Sequence, residues 1–339
     1  MIREAIVALV SGEHLTDEQA AAVMEEIMSG QATPAQFGAF VTALRLKGET
    51  VDEIAGMARV MREKAQRVRV EGALLDTCGT GGDDKGTFNV STAAAFVAAG
   101  AGARVAKHGN RAMTSRCGSA DVLEALGARI DLPPERVEAC LAQTGFGFMF
   151  APTFHPAMRF AAGPRREIGV RTVFNILGPL TNPAGATAQV LGVADPLLAE
   201  KMALVLARLG CLHALVVHGE DGLDELSVSA PSLVCEVKEG RLGSYTLLPS
   251  EVGLGTHPAE ALRGGTPDEN AKALRSVLAG EQGPLRDFTL LNAAAGLVAF
   301  GLAPHIAEGV ALAAQAIDSG AARQKLERFV EVSNTLGQD

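Results

Sequence analysis

Residues 73–109 read "ALLDTCGTGGDDKGTFNVSTAAAFVAAGAGARVAKHG". The apolar run at 73–78 ends in turn residues and reads as a buried strand. An alanine-rich helix follows from Val90, and a second apolar run occupies 103–109. A strand, a loop, a helix and a strand in that order predict parallel strands joined by a right-handed crossover. Farther on, "AQVLGVAD" and "LHALVVHGE" read as further strands with "PLLAEKMALVLARLG" as the helix between them. "SLVCEVKEGRLGSYTLL" reads as a hairpin turning at Lys238–Arg241, and from Thr266 the chain is mostly helical.

Upstream the pattern is helical only. Thr16 with Gln19 and Thr50 with Glu53 are capping-box pairs. Thr33-Pro34 is an N-cap followed by proline at the first helical position, with Gly48 as the stop. The expected fold class is therefore α/β, a small N-terminal α-helical domain plus a large α/β domain with a mainly parallel central sheet.

Composition narrows the function. The chain has 339 residues, 47% hydrophobic and 4% aromatic, with a net charge of −9. An acidic chain is a poor nucleic-acid binder, since phosphate contacts need basic surface. The most apolar stretches, Ala93–Ala103 and Leu290–Ala303, are short and broken by glycine, so no membrane span is expected. The five cysteines are scattered with no CxxC pair, which suits reduced thiols in a cytoplasmic protein.

Ligands of parallel sheets sit beyond the carboxyl ends of the strands, and several loops there carry chemistry. Gly79, Gly81 and Gly82 allow close backbone approach. Asn89, Ser91 and Thr92 stand at a helix start, where free N–H groups favour an anion. The spacing is neither Walker A nor GxGxxG, and a tight turn with an N-cap is the alternative to a ligand site. Between Lys85 and Ala120 there is no acid, but there are Lys85, Arg104, Lys107, Arg111 and Arg116. Such a reversal in an acidic chain could focus an anion; a solvated basic loop is the alternative. Glu220, Asp221, Asp224 and Glu225 crowd four carboxylates into six residues. They are an acidic surface turn or, beside a phosphate site, a magnesium site. In a further acid-free stretch, Arg159, Arg165 or Arg166 could hold a substrate carboxylate. His155 reads as a core-edge histidine. No GxSxG, HExxH or Cys–His spacing marks a nucleophile.

"GTGGD", "NVST", "AKHGNRAMTS", "GSADVLEALG", "FNILGPLTNP" and "DGLDE" occur in that order. Together they closely resemble the anthranilate phosphoribosyltransferase family, which joins anthranilate to phosphoribosyl pyrophosphate in tryptophan biosynthesis. The likeness runs from the N-terminal helices to "RDFTLLNAAAGL". It implies a helical domain over 1–66, with a contribution from about 165–185, and an α/β domain over 67–339. It implies a homodimer formed through the helical domain. It implies Mg2+ held by Ser91, Asp224 and Glu225. The implied substrate site comprises Gly79, Gly82, Asp83, Thr87, Asn89, Val90, Ser91 and Thr92. It continues through Lys107, His108, Gly109, Asn110, Arg111, Ala112, Met113, Thr114 and Ser115, with Ser119. Asn110 and Arg165 would meet anthranilate with His108 nearby, and Lys107, Asp83 and Arg165 would carry catalysis. Asp84 stands where glycine is common, and Thr114, Arg116 and Cys117 are mild variants. A pyrimidine nucleoside phosphorylase shares the architecture, but the Asp224-Glu225 pair and "KHGNR" argue against it. A non-catalytic nucleic-acid-binding paralogue is disfavoured by the acidic charge and the intact acidic pair.

Overall fold

A computed structural model describes residues 1–112 and 115–338 of the chain. Four helices come first: α1 (Ile2–Val10), α2 (Asp17–Met28), α3 (Pro34–Lys47) and α4 (Val51–Glu63). Thr16, Thr33 and Thr50 each close a reciprocal capping box, and Gly48 ends α3. The cap of α4 also anchors the bundle. Glu53 is fully buried and accepts the backbone N–H groups of Leu15 and Thr50. Its carboxylate also takes the Lys47 ammonium at 3.0 Å.

The alternation of strands and helices then builds the sheet. In chain order come β1 (Leu75–Gly79), α5 (Val90–Gly100), β2 (Val105–Gly109), α6 (Ser119–Ala125), α7 (Pro134–Thr144) and β3 (Phe146–Phe150). Next are α8 (Ala151–Phe154), α9 (Arg159–Ile168), α10 (Phe174–Leu177), β4 (Ala188–Gly192), α11 (Ala199–Arg208) and β5 (His213–Gly219). The hairpin β6 (Ser232–Lys238) and β7 (Arg241–Leu247) precedes α12 (Pro267–Leu278), α13 (Pro284–Phe300), α14 (Ile306–Asp318) and α15 (Ala321–Leu336). The sheet order is β3-β2-β1-β4-β5-β6-β7. The first five strands in that order are parallel, and the hairpin adds antiparallel to β5. The turn falls between Lys238 and Arg241, as the sequence predicts. Strand β3 escapes the sequence reading: "FGFMF" is too short and too uniformly apolar to show a period.

Adjacent residues on each strand point to opposite faces. Val190, Leu215 and Val217 face α5 and α13–α15. Leu191, Ala214 and Val216 face the other way and join α1–α4, α10 and α11 in one core. The helical bundle is thus bonded to the sheet through shared apolar packing, and α9 lies against α2 and α3. Among the described residues, no helix is long and apolar enough to cross a membrane, and all five cysteines are free.

The strand order reverses between β1 and β4. That switch point opens a crevice at their carboxyl ends.

Glu53→Ala leaves the Lys47 ammonium and two N–H groups without their buried acceptor. The expected loss is about 3–5 kcal/mol, read from chemical denaturation. A loss below roughly 1 kcal/mol would show that Glu53 only caps the helix.

Candidate active site

Asp224 occupies the switch point. Its main chain packs so closely on the end of β4 that a Cβ at Gly192 would overlap it, and a Cβ at Gly79 would overlap its carboxylate. The N–H of Gly81 donates to Asp224 Oδ2 at 2.7 Å. Asp83 crowds the same carboxyl group. Burial, and then the Asp83 charge, push Asp224 up to about 7. Burial and the Asp224 charge push Glu225 well above the carboxylate range. Buried acids this close call for a cation. Asp83 Oδ2 is buried with no partner, so the donor set fits a hard cation. Among the described residues, no three acidic, histidine or cysteine side chains converge as a ready-made metal cage. The arrangement suits magnesium, which takes one or two carboxylates and completes its shell with phosphate oxygens and water. The other two acids of this loop do different work. Glu220 is exposed, and Asp221 accepts the Ser227 hydroxyl at 2.7 Å to shape the turn.

The facing wall is built on β2 and α5. Lys107 is 1% exposed; its ammonium donates to the Thr77 carbonyl and lies 3.3 Å from Ser91 Oγ. Burial draws the lysine pKa down, opposed first by the charge of Asp76. Asn89 stands at the N-terminus of α5 but makes no side-chain cap. Instead it donates to the Cys117 carbonyl at 3.1 Å and accepts from Asn270 at 2.8 Å. Asn270 is thus a buried anchor of the site that no local motif announces. Val90 and Thr92 are buried, and the Thr92 hydroxyl has no partner. Thr87 forms a bridge with Arg263.

The basic run is less free than its charge count suggests. Arg104 precedes β2, away from the crevice, and donates to the Glu71 carbonyl. Arg111 is bound by Asp121 at 3.2 Å and by Glu124, acids that lie just past the acid-free window. Arg116 is 3.9 Å from Glu269. Of the five cations, Lys107 alone is buried at the crevice; Lys85 is exposed and packs beside Gly222. Asn110, Ala112 and Ser119 come together: Ser119 Oγ donates to the Asn110 carbonyl at 3.4 Å, and the Ala112 N–H donates to Asp121. Gly109 approaches Ser119 so closely that a Cβ there would overlap its hydroxyl. Ser115 is exposed. Met113 and Thr114 lie outside the described residues.

His108 and His155 meet, with ring centroids 5.0 Å apart. Each is held by a main-chain hydrogen bond, to Gly178 and Thr181 respectively. The Nε2 atoms of both are buried and unpartnered. Burial draws His108 to about 3 and His155 to about 4, so both are neutral at pH 7. His155 is buried, as its core-edge reading expects, and packs on His108. Arg165 is half-buried, its guanidinium 5.5 Å from the Phe174 ring centroid, whereas Arg166 is exposed. Arg171 was not singled out by sequence. It donates to the Gly81 carbonyl at 2.9 Å and fills the space where a Cβ on Gly82 would lie. Gly82, at φ 76, is thereby doubly required. Cys78 is no nucleophile, because burial raises its thiol pKa well above normal.

Residues 3–65 match the helical bundle domain of a glycosyl transferase family, and residues 71–323 match the α/β domain of that family. The chain is 60% identical over 337 residues to an anthranilate phosphoribosyltransferase of Pelotomaculum thermopropionicum, covering 99% of this chain and 98% of the relative. It is 61% identical to one of Chloroflexus aurantiacus, covering 98% of each. The crystal structure of the Thermus thermophilus enzyme superimposes with a TM-score of 0.93 at 52% identity, over 97% of this chain and 99% of that one. The Saccharomyces cerevisiae enzyme, solved with phosphoribosyl pyrophosphate and magnesium, gives 0.91 at 30% identity over 98% of both chains.

The raised Asp224 pKa has a definite sign. Its stabilisation is greatest in the protonated form and is lost as pH rises from about 4 through about 7. In EDTA, Asp224→Asn should therefore be the more stable protein at pH 8, by up to about 4 kcal/mol. That advantage should shrink at pH 5. Parallel stability curves for the two proteins would refute the assignment.

Proposed function

The chain belongs to the anthranilate phosphoribosyltransferase family, and from that we propose how its residues carry the reaction. The enzyme transfers the phosphoribosyl group of phosphoribosyl pyrophosphate to the amine of anthranilate, releasing pyrophosphate, a step of tryptophan biosynthesis.

An aromatic amine is neutral at pH 7, so it needs no base to become a nucleophile. The absence of a triad in the motifs follows. The work lies in holding a leaving group that gains negative charge. We assign that to Lys107 and, within the Gly79–Asp83 loop, to the N–H groups of Gly82 and Asp83, since those of Thr80 and Gly81 are taken by the Gly192 carbonyl and Asp224. Gly82, Thr87 and Asn89–Thr92 would seat the phosphoribosyl pyrophosphate, with Arg111, Ala112, Ser115 and Ser119 as its outer wall and Asn110 meeting anthranilate. Magnesium, held through Asp224, Glu225 and Ser91, would neutralise charge on the pyrophosphate. Asp83 would orient that carboxylate group. Arg165 would hold the anthranilate carboxylate; its half-burial, against the exposure of Arg166, supports the choice. His108 and His155 offer neutral imidazoles whose Nε2 atoms are unpartnered. They can accept a hydrogen bond without adding charge to the anthranilate side. Aligning two substrates supplies much of the remaining acceleration, up to roughly 7–11 kcal/mol. The observation that carries this reading is the burial of Lys107 opposite the Asp83–Asp224–Glu225 carboxyl groups.

The same reading takes residues 1–66 with about 165–185 as the helical domain and 67–339 as the α/β domain. The packing of α9 on α2 and α3 supports the join. A homodimer through the helical domain is supported by Val7, Val10 and Leu46, which are 68, 73 and 83% exposed on α1 and α3. A biosynthetic transferase with five free thiols fits the reducing cytoplasm.

Purified protein with phosphoribosyl pyrophosphate and magnesium should extinguish anthranilate fluorescence, and EDTA should stop the loss. Folded protein that leaves the fluorescence unchanged would sink the residue assignments along with the activity. Light scattering should give a mass near twice 35.1 kDa, falling toward one chain when Val10 and Leu46 are replaced by glutamate. A monomeric parent protein would end the dimer reading.

A further inference from the structure

The sheet splits inside the active site. β1 keeps a five-residue register with β4, and β2 keeps one with β3. Between β1 and β2 the register holds only at Leu75 and Val105. Past that pair, main-chain groups of both strands lose their neighbours in a dry interior and need other partners.

Two side chains supply them. Asp76 Oδ1 accepts the N–H of His108 at 3.2 Å. Asp76 Oδ2 accepts from Asn182 Nδ2 at 2.8 Å, and the same amide donates to the Ala106 carbonyl at 2.8 Å. Asn182 Oδ1 in turn accepts the Ala184 N–H at 2.9 Å. Asp76 is 0% exposed and Asn182 is 3% exposed. The bridge brackets Lys107 on both sides, for it fixes the main chain at Ala106 and at His108. The Lys107 ammonium reaches back to Thr77, the residue next to Asp76. Both ends of the lysine are thus referenced to one point on β1.

A carboxylate is a costly way to fill a gap in a parallel sheet, whose strands are ordinarily apolar on both faces. A hydrophobic residue with a paired backbone would serve stability better. It would also close the split and seal Lys107 into the sheet.

We infer that Asp76 and Asn182 are positioning residues for the transfer: together they prop β1 and β2 apart and hold Lys107 where the pyrophosphate must lie. This rests on the reading of the crevice as the pyrophosphate site. Neither residue touches the substrate, so their effect is expected in one substrate's parameters and not the other's. The His108 ring is held separately by Gly178, which leaves the anthranilate side in place.

The test compares the parent enzyme with Asp76→Asn and Asn182→Ala by steady-state kinetics well below the melting temperature. Asp76→Asn keeps the shape but sets an amide donor against the Asn182 donor. Asn182→Ala removes the donor and leaves the carboxylate. The expected result is a KM for phosphoribosyl pyrophosphate raised about 10-fold or more, the size of effect that supporting residues have on a bound group. The KM for anthranilate should stay within about threefold, and kcat should fall about 10-fold. A merely structural role would reduce the amount of active enzyme and leave both KM values unchanged; that outcome overturns the inference. So does a folded Asp76→Asn enzyme with parent kinetics. If Asp76→Asn does not fold, Asn182→Ala decides by the same criterion. An inactive parent would fail the functional reading itself, whereas an active parent with unaffected variants fails only this inference.

Discussion

The carboxyl groups buried at the ends of β1 and β4 are the constraint on which the rest of the molecule depends. Asp224 sits so tightly on those strand ends that glycine is needed at both 79 and 192. Its carboxylate is tied to the Gly81 N–H; Glu225 shares its burial, and half-buried Asp83 lies beside it. Acids in such a place are tolerable only if positive charge is delivered to them. The fold brings it from the facing wall: an ammonium from β2 and the positive end of α5. In the proposed reading, pyrophosphate with its magnesium would serve both walls, its phosphates toward the cations and its metal toward the acids.

The helical lobe and the segment around Arg171 complete that arrangement. Arg171, between α9 and α10, ties down the carbonyl of Gly81. A crevice of about 200 Å³ runs from there past Arg45, Thr80, Gly82 and Asn175. The glycine loop is therefore held on one side by Asp224 and on the other by a residue adjoining the helical lobe. In the proposed reading the anthranilate side is lined by Arg165, which is cationic, and by the neutral pair His108 and His155. This is the electrostatic character expected where a monoanionic aromatic substrate must approach a highly negative one.

What could be read from sequence was what local chemistry writes locally. The capping boxes read at Thr16 and Thr50 lie within one helical turn and close as read, and the N-cap read at Thr33 proves to be a third box with Gln36. The glycine loop, the Asn89–Thr92 helix start and "DGLDE" lie at strand ends because strand–loop–helix order puts them there. The rest depended on residues far apart in the chain. Arg111 looked free because its partners, Asp121 and Glu124, belong to the next helix. Asn270 anchors Asn89 across 181 positions, and Asn182 reaches Asp76 across 106. His155 could be read as a core-edge histidine, but its neighbour there, His108, could not be named from sequence. Strand β3 has no polar face, since both sides are covered, and so carries no alternation to detect.

The shared core between helical bundle and sheet bears on how such a protein can be recombined. Leu191, Ala214, Val216 and Val237 of the sheet pack in one apolar cluster with α1–α4 and α11. The bundle is continuous with the sheet along this face, although its sequence ends at a clear boundary. A graft of residues 1–66 from a distant relative would import one half of an interdigitated surface without the other. Lobes of this architecture should therefore exchange as matched pairs, bundle and sheet face together, and the active-site crevice should yield along its open edge sooner than along this joined one.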